Sequence, residues 1–308
     1  MIYTVTFNPA IDYVVHTDAM QVGMVNRSHG EEIYYGGKGI NVSVILKELG
    51  IPSRALGFVA GFTGAAIEKG VQEMGIATDF VHLESGFSRI NVKIKSGEET
   101  ELNGQGPVID DAAVKALFRK LDDLQDGDTI ILAGSIPNTM PSDIYEKILA
   151  YLDGRQIRTV VDATNDLLKN VLKYKPFLVR PNIEDLETMF DEVIADQSQL
   201  IHAGRRCAEL GAENVILMMG KDGSLLINQD GVYHANSIDA EVVNSVGAAD
   251  SMIAGFVMNY LRSRDLITTF KYANCCGIAT AFSKGMATRE KIESLFDEIV
   301  VTKIDENQ

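Results

Sequence analysis

Short runs of apolar residues bounded by turn residues recur along the chain, and they alternate with stretches in which apolar positions return every three or four residues. The runs Ile2–Phe7, Thr129–Ala133, Thr159–Val161, Phe177–Val179, Val215–Met219 and Ser224–Ile227 are continuously apolar. That pattern predicts strands covered on both faces rather than strands with one wet side. Val114, Leu117, Phe118 and Leu121 fall at helical spacing, as do Ile253, Phe256, Val257 and Tyr260. Val42, Ile45, Leu46 and Leu49 repeat it with Gly50 as a stop, and Ile292, Leu295, Phe296 and Ile299 predict a last helix. Strands alternating with helices predict an α/β fold with a mostly parallel sheet between two helical layers. Two regions break the rhythm. Residues from about 9 to 36 and 80 to 105 carry period-two alternation, as in Arg89-Ile90-Asn91-Val92-Lys93-Ile94-Lys95. Half-wet strands of that kind predict a small antiparallel sheet, placed as a lid that keeps water from a reacting group.

Composition narrows the partners. The 308 residues hold 28 Lys and Arg against 43 Asp and Glu, a net charge of −15. Such a surface repels nucleic acid and anionic lipid, so neither is an expected partner. An anionic substrate would need a local cluster of cations. The opening Met1–Phe7 has no signal-peptide character, and no segment approaches the ~20 apolar residues of a membrane span. The three cysteines, Cys207, Cys275 and Cys276, predict neither a disulfide framework nor a zinc site, and the expected compartment is the cytoplasm. With no linker or repeat, residues 1–308 are expected to form a single domain.

Candidate chemistry centres on Val243-Asn244-Ser245-Val246-Gly247-Ala248-Ala249-Asp250-Ser251. Small residues ahead of a helix let backbone amides of its first turn meet an anion, and Asp250 would share that space as a base. The same residues would also serve as plain packing with Asp250 or Ser251 as a helix cap. Gly36-Gly37-Lys38-Gly39-Ile40-Asn41 precedes the second helical pattern and offers close backbone approach, a cation and an amide; a flexible turn with a solvated lysine has the same composition. Asn8-Pro9-Ala10-Ile11-Asp12 ends the first strand, where ligands bind in open α/β sheets. Arg27 and Arg89 lie on the lid regions and, with Lys38, would supply the required positive charge. No P-loop, Rossmann fingerprint or metal-binding histidine spacing occurs.

Taken together, these segments resemble the ribokinase-like (PfkB-type) carbohydrate kinases over essentially the whole chain, in the branch of 1-phosphofructokinases and tagatose-6-phosphate kinases. The resemblance rests on Asn8–Asp12, Gly36–Asn41, Gly134-Ser135-Ile136-Pro137 and Asn244–Ser251. The segments Ser88–Lys93, Leu102–Pro107 and Ala279–Ser283 look more like 1-phosphofructokinases. It implies a three-layer α/β/α fold and transfer of phosphate from ATP, with Mg2+, to the 6-hydroxyl of fructose 1-phosphate. Asp250 would be the base, and the amides of Gly247, Ala248 and Ala249 would steady charge. Asp12, Gly37, Lys38 and Asn41 would hold the sugar, with Arg89, Arg27 and Ser135 near its phosphate. Asn182, Gly220 and Gly223 would serve the nucleotide, with Glu184 and Asp185 acting on the metal through water. A homodimer paired through the lids is also implied. Three positions depart from the family pattern, all on the nucleotide side: Ala249 where glycine is usual, Asp185 where glutamate is usual, and Met218 where a hydroxyl residue is common. If position 249 needs a positive φ, alanine there costs about 1 kcal/mol and misaims an amide. Two other readings follow: a tagatose-6-phosphate kinase, or a weakly active protein that binds a sugar phosphate.

Overall fold

The computed structural model describes residues 1–162 and 166–304. In chain order the strands begin with β1 (Ile2–Thr6), β2 (Ala10–His16), β3 (Gly30–Gly36), β4 (Ser53–Ala60), β5 (Ala77–Thr78) and β6 (Val81–Leu83). They continue with β7 (Arg89–Ser96), β8 (Glu98–Asn103), β9 (Thr129–Ala133), β10 (Arg158–Asp162) and β11 (Leu178–Val179). The last are β12 (Asn214–Met218), β13 (Ser224–Asn228), β14 (Gly231–Ala235) and β15 (Val301–Ile304). The helices are α1 (Lys38–Glu48), α2 (Gly61–Glu73), α3 (Asp111–Leu121), α4 (Ile144–Leu152) and α5 (Asp166–Leu172). After them come α6 (Ile183–Phe190), α7 (Gln197–Glu209), α8 (Ala248–Ser263), α9 (Leu266–Ala281) and α10 (Arg289–Ser294).

The large sheet has the order β15-β14-β13-β12-β11-β10-β9-β1-β4-β5, with β6 also pairing β4. Strands from β12 to β5 run parallel, and β13, β14 and β15 add antiparallel at one edge. Alternate residues of one strand feed opposite cores, which is why the runs look continuously apolar. Ile130 and Leu132 of β9 pack with α3 to α7, whereas Ile131 and Ala133 pack with α1, α8, α9 and α10. The result is a three-layer sandwich.

The two alternating regions form the expected second sheet, of order β3-β2-β7-β8. Each region folds as an antiparallel hairpin, and the hairpins join through parallel pairing of β2 with β7. Within residues 80–105, Val81–Leu83 belongs instead to the main sheet, beside β4.

Two sequence expectations are corrected. The helix expected to reach Ile299 ends at Ser294; a 3₁₀ turn, Phe296–Glu298, follows, and the chain becomes β15. Ile292 and Ile299 still enter one core, while pairing with the edge of β14 takes the last residues into the sheet. The central strand β4 escapes the pattern because Gly57 interrupts it. A Cβ at Gly57 would lie 1.9 Å from the Thr6 carbonyl oxygen, so only glycine lets β4 lie against β1 there.

Candidate active site

Ligands of open parallel sheets bind beyond the carboxyl ends of the strands, and several of the singled-out segments of this chain emerge there. Asn8 and Asp12 follow β1, Gly134 and Ser135 follow β9, Asp162 ends β10, Arg180 and Asn182 follow β11, and Gly220 follows β12.

Asp250 lies in the first turn of α8 and is 4% exposed. Asn41, in the first turn of α1, donates from Nδ2 to Asp250 Oδ2 at 2.8 Å. Burial, and then the charge of Asp162, raises the Asp250 carboxyl from 3.8 to about 6, against the lowering effects of Asn41, Lys38 and Arg180. A carboxylate tuned upward in this way is a stronger proton acceptor that is still mostly ionised at neutral pH.

Gly247 precedes α8 with φ 81°, in the left-handed region, and this sets the first turn's amides toward the site. Ala248 and Ala249 are ordinary helical residues; neither has a positive φ. The Ala248 amide turns back to the Ser245 carbonyl at 3.3 Å, leaving Gly247 and Ala249 as the better placed donors.

Behind the base stands a charged group that sequence reasoning missed. Asp162, 2% exposed, accepts from Lys38 Nζ at 2.8 Å and from Arg180 Nε at 3.0 Å and Nη2 at 2.5 Å. Lys38 opens α1, where the helix dipole disfavours a cation, and Asp162 compensates. Arg180 sits two residues before Asn182, close to a segment already singled out, but nothing in the sequence shows that Lys38 and Arg180 share a carboxylate.

On the opposite side, Asp12 Oδ1 accepts from Asn91 Nδ2 at 2.7 Å, and Arg89 Nε donates to the Asn8 carbonyl at 2.9 Å. Burial lowers the Arg89 pKa while Asp12 raises it. Three buried side-chain atoms without a hydrogen-bond partner among the described residues are Thr6 Oγ1, Asn8 Oδ1 and Asn91 Oδ1. All three cluster here: Asn91 touches Asp12, Asn8 touches Arg89, and Thr6 lies against Gly37. Each of these atoms is itself shut off from solvent, so together they form the polar wall behind the pocket edge rather than its surface.

Arg27 does not join this group. It is exposed, between β2 and β3, beyond the end where His16 pairs Gly30. Arg89 pairs Ala10 at the other end of β2, so six residues, or about 20 Å, separate the two positions. Within one chain, Arg180 joins the expected Lys38 on Asp162 instead. Ser135 follows Gly134, whose Cβ position lies 3.9 Å from the Lys38 side chain, so its turn borders the site.

On the far side, Gly220 and Gly223 bracket a short 3₁₀ turn between β12 and β13, both with positive φ. Asn182 caps α6: its Oδ1 accepts from the Asp185 amide at 2.7 Å, and Asp185 Oδ2 accepts from the Asn182 amide at 3.0 Å. Asp185 is 3% exposed and therefore closes a capping box, while Glu184 faces solvent. Glu184 and Asp185, expected to act on the metal through water, thus differ in exposure: one carboxylate is in solvent and the other is engaged by the cap. No group of three or more His, Cys, Asp or Glu side chains able to hold a metal ion occurs among the described residues.

A buried carboxylate at the meeting point of two helix N-termini, with cations close by, suits phosphoryl transfer to a hydroxylated acceptor. The family model for the pfkB family of carbohydrate kinases matches residues 5–292. The chain belongs to that family. It is 44% identical over 304 residues to a 1-phosphofructokinase of Bacillus subtilis, covering 99% of this chain and all of the relative. It is 34% identical to a D-tagatose-1-phosphate kinase of Bacillus licheniformis over 99% of the chain and all of that relative. A solved structure of a putative phosphofructokinase from Staphylococcus aureus superposes with a TM-score of 0.89 at 38% identity, covering 99% of both chains.

For a carbohydrate kinase of this family, the three departures now separate. Ala249 is harmless, because the left-handed position is Gly247. Asp185 is short enough to close its cap on Asn182. Met218 is half-buried and packs against the core that α8 also enters.

Proposed function

We propose that this kinase transfers the γ-phosphoryl group of ATP to O6 of fructose 1-phosphate, working as one catalytic unit with its lid. The observation that supports this reading is the buried Asp250 carboxylate, held by Asn41 in the first turn of α1, the helix whose preceding loop adjoins Asp12. Asp12, oriented by Asn91, would take the sugar hydroxyls, with Gly37, Lys38 and Asn41 shaping the same wall. Arg89, with the Ser135 turn near it, would meet the existing phosphate.

Asp250 accepts the proton of the 6-hydroxyl as O6 bonds to the γ-phosphorus. The bond from that phosphorus to the β–γ bridging oxygen breaks, and ADP departs with the electron pair. The Gly247 and Ala249 amides and the Lys38 and Arg180 charges oppose the negative charge on the transferring group. Gly220 and Gly223 would shape the nucleotide loop.

Mg2+ fits as a companion of the triphosphate rather than as a resident of the protein. It would keep most of its water and phosphate ligands, since no carboxylate cage occurs among the described residues. When bound, it would neutralise phosphate charge. Glu184 is the carboxylate near Asn182 left in solvent to reach its water shell.

Tagatose 1-phosphate is the competing acceptor, because the tagatose kinases among the relatives are named for that sugar phosphate. It replaces tagatose 6-phosphate as the alternative. The two ketose 1-phosphates differ only in configuration at C4, so both present a 6-hydroxyl to the base. A sensor without catalysis loses one of its supports, since Ala249 does not distort the anion site.

An ADP-release assay with fructose 1-phosphate, tagatose 1-phosphate and fructose 6-phosphate decides the matter. The expected order places fructose 1-phosphate first by kcat/KM. Absence of turnover with every one of them would sink the proposal. Pairing through the lids is proposed from Ile33, Tyr34 and Leu102, apolar side chains exposed on that sheet. Light scattering that gave a monomer at working concentration would refute it.

A further inference from the structure

Helix α9 lies so close to the first turn of α8 that a Cβ at Gly277 would stand 3.2 Å from the Ala248 carbonyl oxygen. One turn further along the same face of α9, Thr280 reaches Ser251, and both residues are fully buried. Their hydroxyl oxygens are 2.8 Å apart. Ser251 Oγ also lies 2.7 Å from the Gly247 carbonyl oxygen, and the Ala287 amide donates to Thr280 Oγ1 at 3.3 Å.

The chemistry of its ends fixes the direction of this chain. The Gly247 carbonyl can only accept, so Ser251 donates its single hydroxyl proton there. Thr280 must then donate the bond between the two hydroxyls, and it keeps a lone pair for the Ala287 amide, which can only donate. The Ala287 amide, Thr280, Ser251 and the Gly247 carbonyl thus form one buried relay of single polarity, in which each bond strengthens the next.

A serine bonded to the carbonyl four residues back is ordinary in a helix. Here that bond is the last link of a chain that ends on the residue shaping the anion site. The Gly247 carbonyl receives the Ser251 amide, at 2.8 Å, as well as the hydroxyl, so the peptide joining Gly247 to Ala248 is gripped twice. The loop after α9, at the other end of the relay, is tied to the segment before Gly247. The Val243 and Asn244 amides donate to the Ala281 carbonyl, and Asn244 Nδ2 donates to the Lys284 carbonyl at 3.1 Å. Gly247 is also wedged from the side: a Cβ there would lie 2.7 Å from Met286 Sδ and 3.7 Å from Asn41 Nδ2.

We propose that Ser251 and Thr280 are positioning residues for phosphoryl transfer, their relay anchoring the left-handed Gly247 turn on the 283–287 loop and so aiming the Gly247 and Ala249 amides. The proposal rests on the assignment of those amides to the transferring phosphate. Both hydroxyls are too deeply buried to touch a substrate, and the relay passes no proton, since it ends on a carbonyl. Amides that meet the γ-phosphate before and during transfer lose their aim when the turn loosens, so both the hold on ATP and the chemical step suffer.

Steady-state kinetics with ATP and fructose 1-phosphate varied in turn, read beside thermal melts, test the proposal. Thr280→Val keeps the side-chain shape and removes the middle link, Ser251→Ala removes the link to Gly247, and Thr280→Ser retains the hydroxyl. Thr280→Val and Ser251→Ala should each lower kcat by about tenfold, less than the loss from deleting an oxyanion donor outright. In both, KM for ATP should rise while KM for fructose 1-phosphate stays within about twofold, and Thr280→Ser should recover most of kcat. The double variant should be no worse than the poorer single variant, because both changes cut one chain. Should Thr280→Val not fold, Ser251→Ala carries the same readout. A lower melting temperature with kcat and KM for ATP unchanged would show plain packing and overturn the proposal, as would a loss that Thr280→Ser does not recover. If the wild-type chain turns over no sugar phosphate, the substrate reading fails by itself, and calorimetry with a non-hydrolysable ATP analogue decides the role of the relay. Binding about fivefold weaker in Ser251→Ala and Thr280→Val then supports it, and binding equal to wild type refutes it.

Discussion

Asn41 Nδ2 lies 2.8 Å from Asp250 Oδ2, and this one hydrogen bond joins the first turns of two helices whose residues are 209 positions apart. It holds the carboxylate of the proposed base at the meeting point of two helix N-termini, and it favours the ionised form.

A pH profile should show this directly. With Asp250 at about 6, kcat/KM should fall tenfold per pH unit below that value, because the protonated carboxyl cannot accept the 6-hydroxyl proton. Asn41→Ala removes a bond that stabilises the charge, so its acidic limb should move to higher pH. A limb unmoved in Asn41→Ala would separate this hydrogen bond from the base.

Asp250→Asn should lower kcat by roughly 10²–10⁴, the usual weight of general base catalysis. The same change should stabilise the fold. The native state holds the Asp250 proton more tightly than the unfolded chain, so stability falls as pH rises from 3.8 to about 6. A shift of that size corresponds to at most about 3 kcal/mol. Urea melts should therefore show Asp250→Asn as the more stable protein at pH 7.5, with the gain shrinking toward pH 4.

Asp162→Asn should act in the opposite sense on stability. It leaves Arg180 and Lys38 without the buried carboxylate they share, a loss on the order of 3 kcal/mol. It also removes a negative charge that raises Asp250, so the acidic limb of the surviving activity should move to lower pH. Melting curves and a pH profile on one preparation test both signs.

The anion site depends on Gly247 rather than on position 249. Ala249→Gly should leave kcat within about twofold and cost about 0.5–1 kcal/mol, as glycine does in a helix. Gly247→Ala places a side chain in the left-handed region, at about 1–2 kcal/mol, with its Cβ 2.7 Å from Met286 Sδ. Its KM for ATP should rise and kcat should drop. Equal effects at the two positions would contradict the geometry.

The sequence alone was enough for the layered fold and the small second sheet, and it singled out Asp250 as the candidate base. Apolar runs covered on both faces, period-two strands and small residues ahead of α8 are local patterns, and local patterns are written in residue order. It also pointed to Asp12, Lys38, Asn41 and Arg89, each within a short motif. Only the tertiary structure decided which of these meet. The register of β2 placed Arg89 at the pocket and left Arg27 about 20 Å away along the strand. β10 and β11 lie side by side, so Asp162 and Arg180 could join Lys38 from distant parts of the chain. The family pattern marked Ala249 as a departure, but backbone dihedrals assigned the strained conformation to Gly247. Charge pairing and chain conformation depend on separations in space, and spacing along the sequence does not carry them.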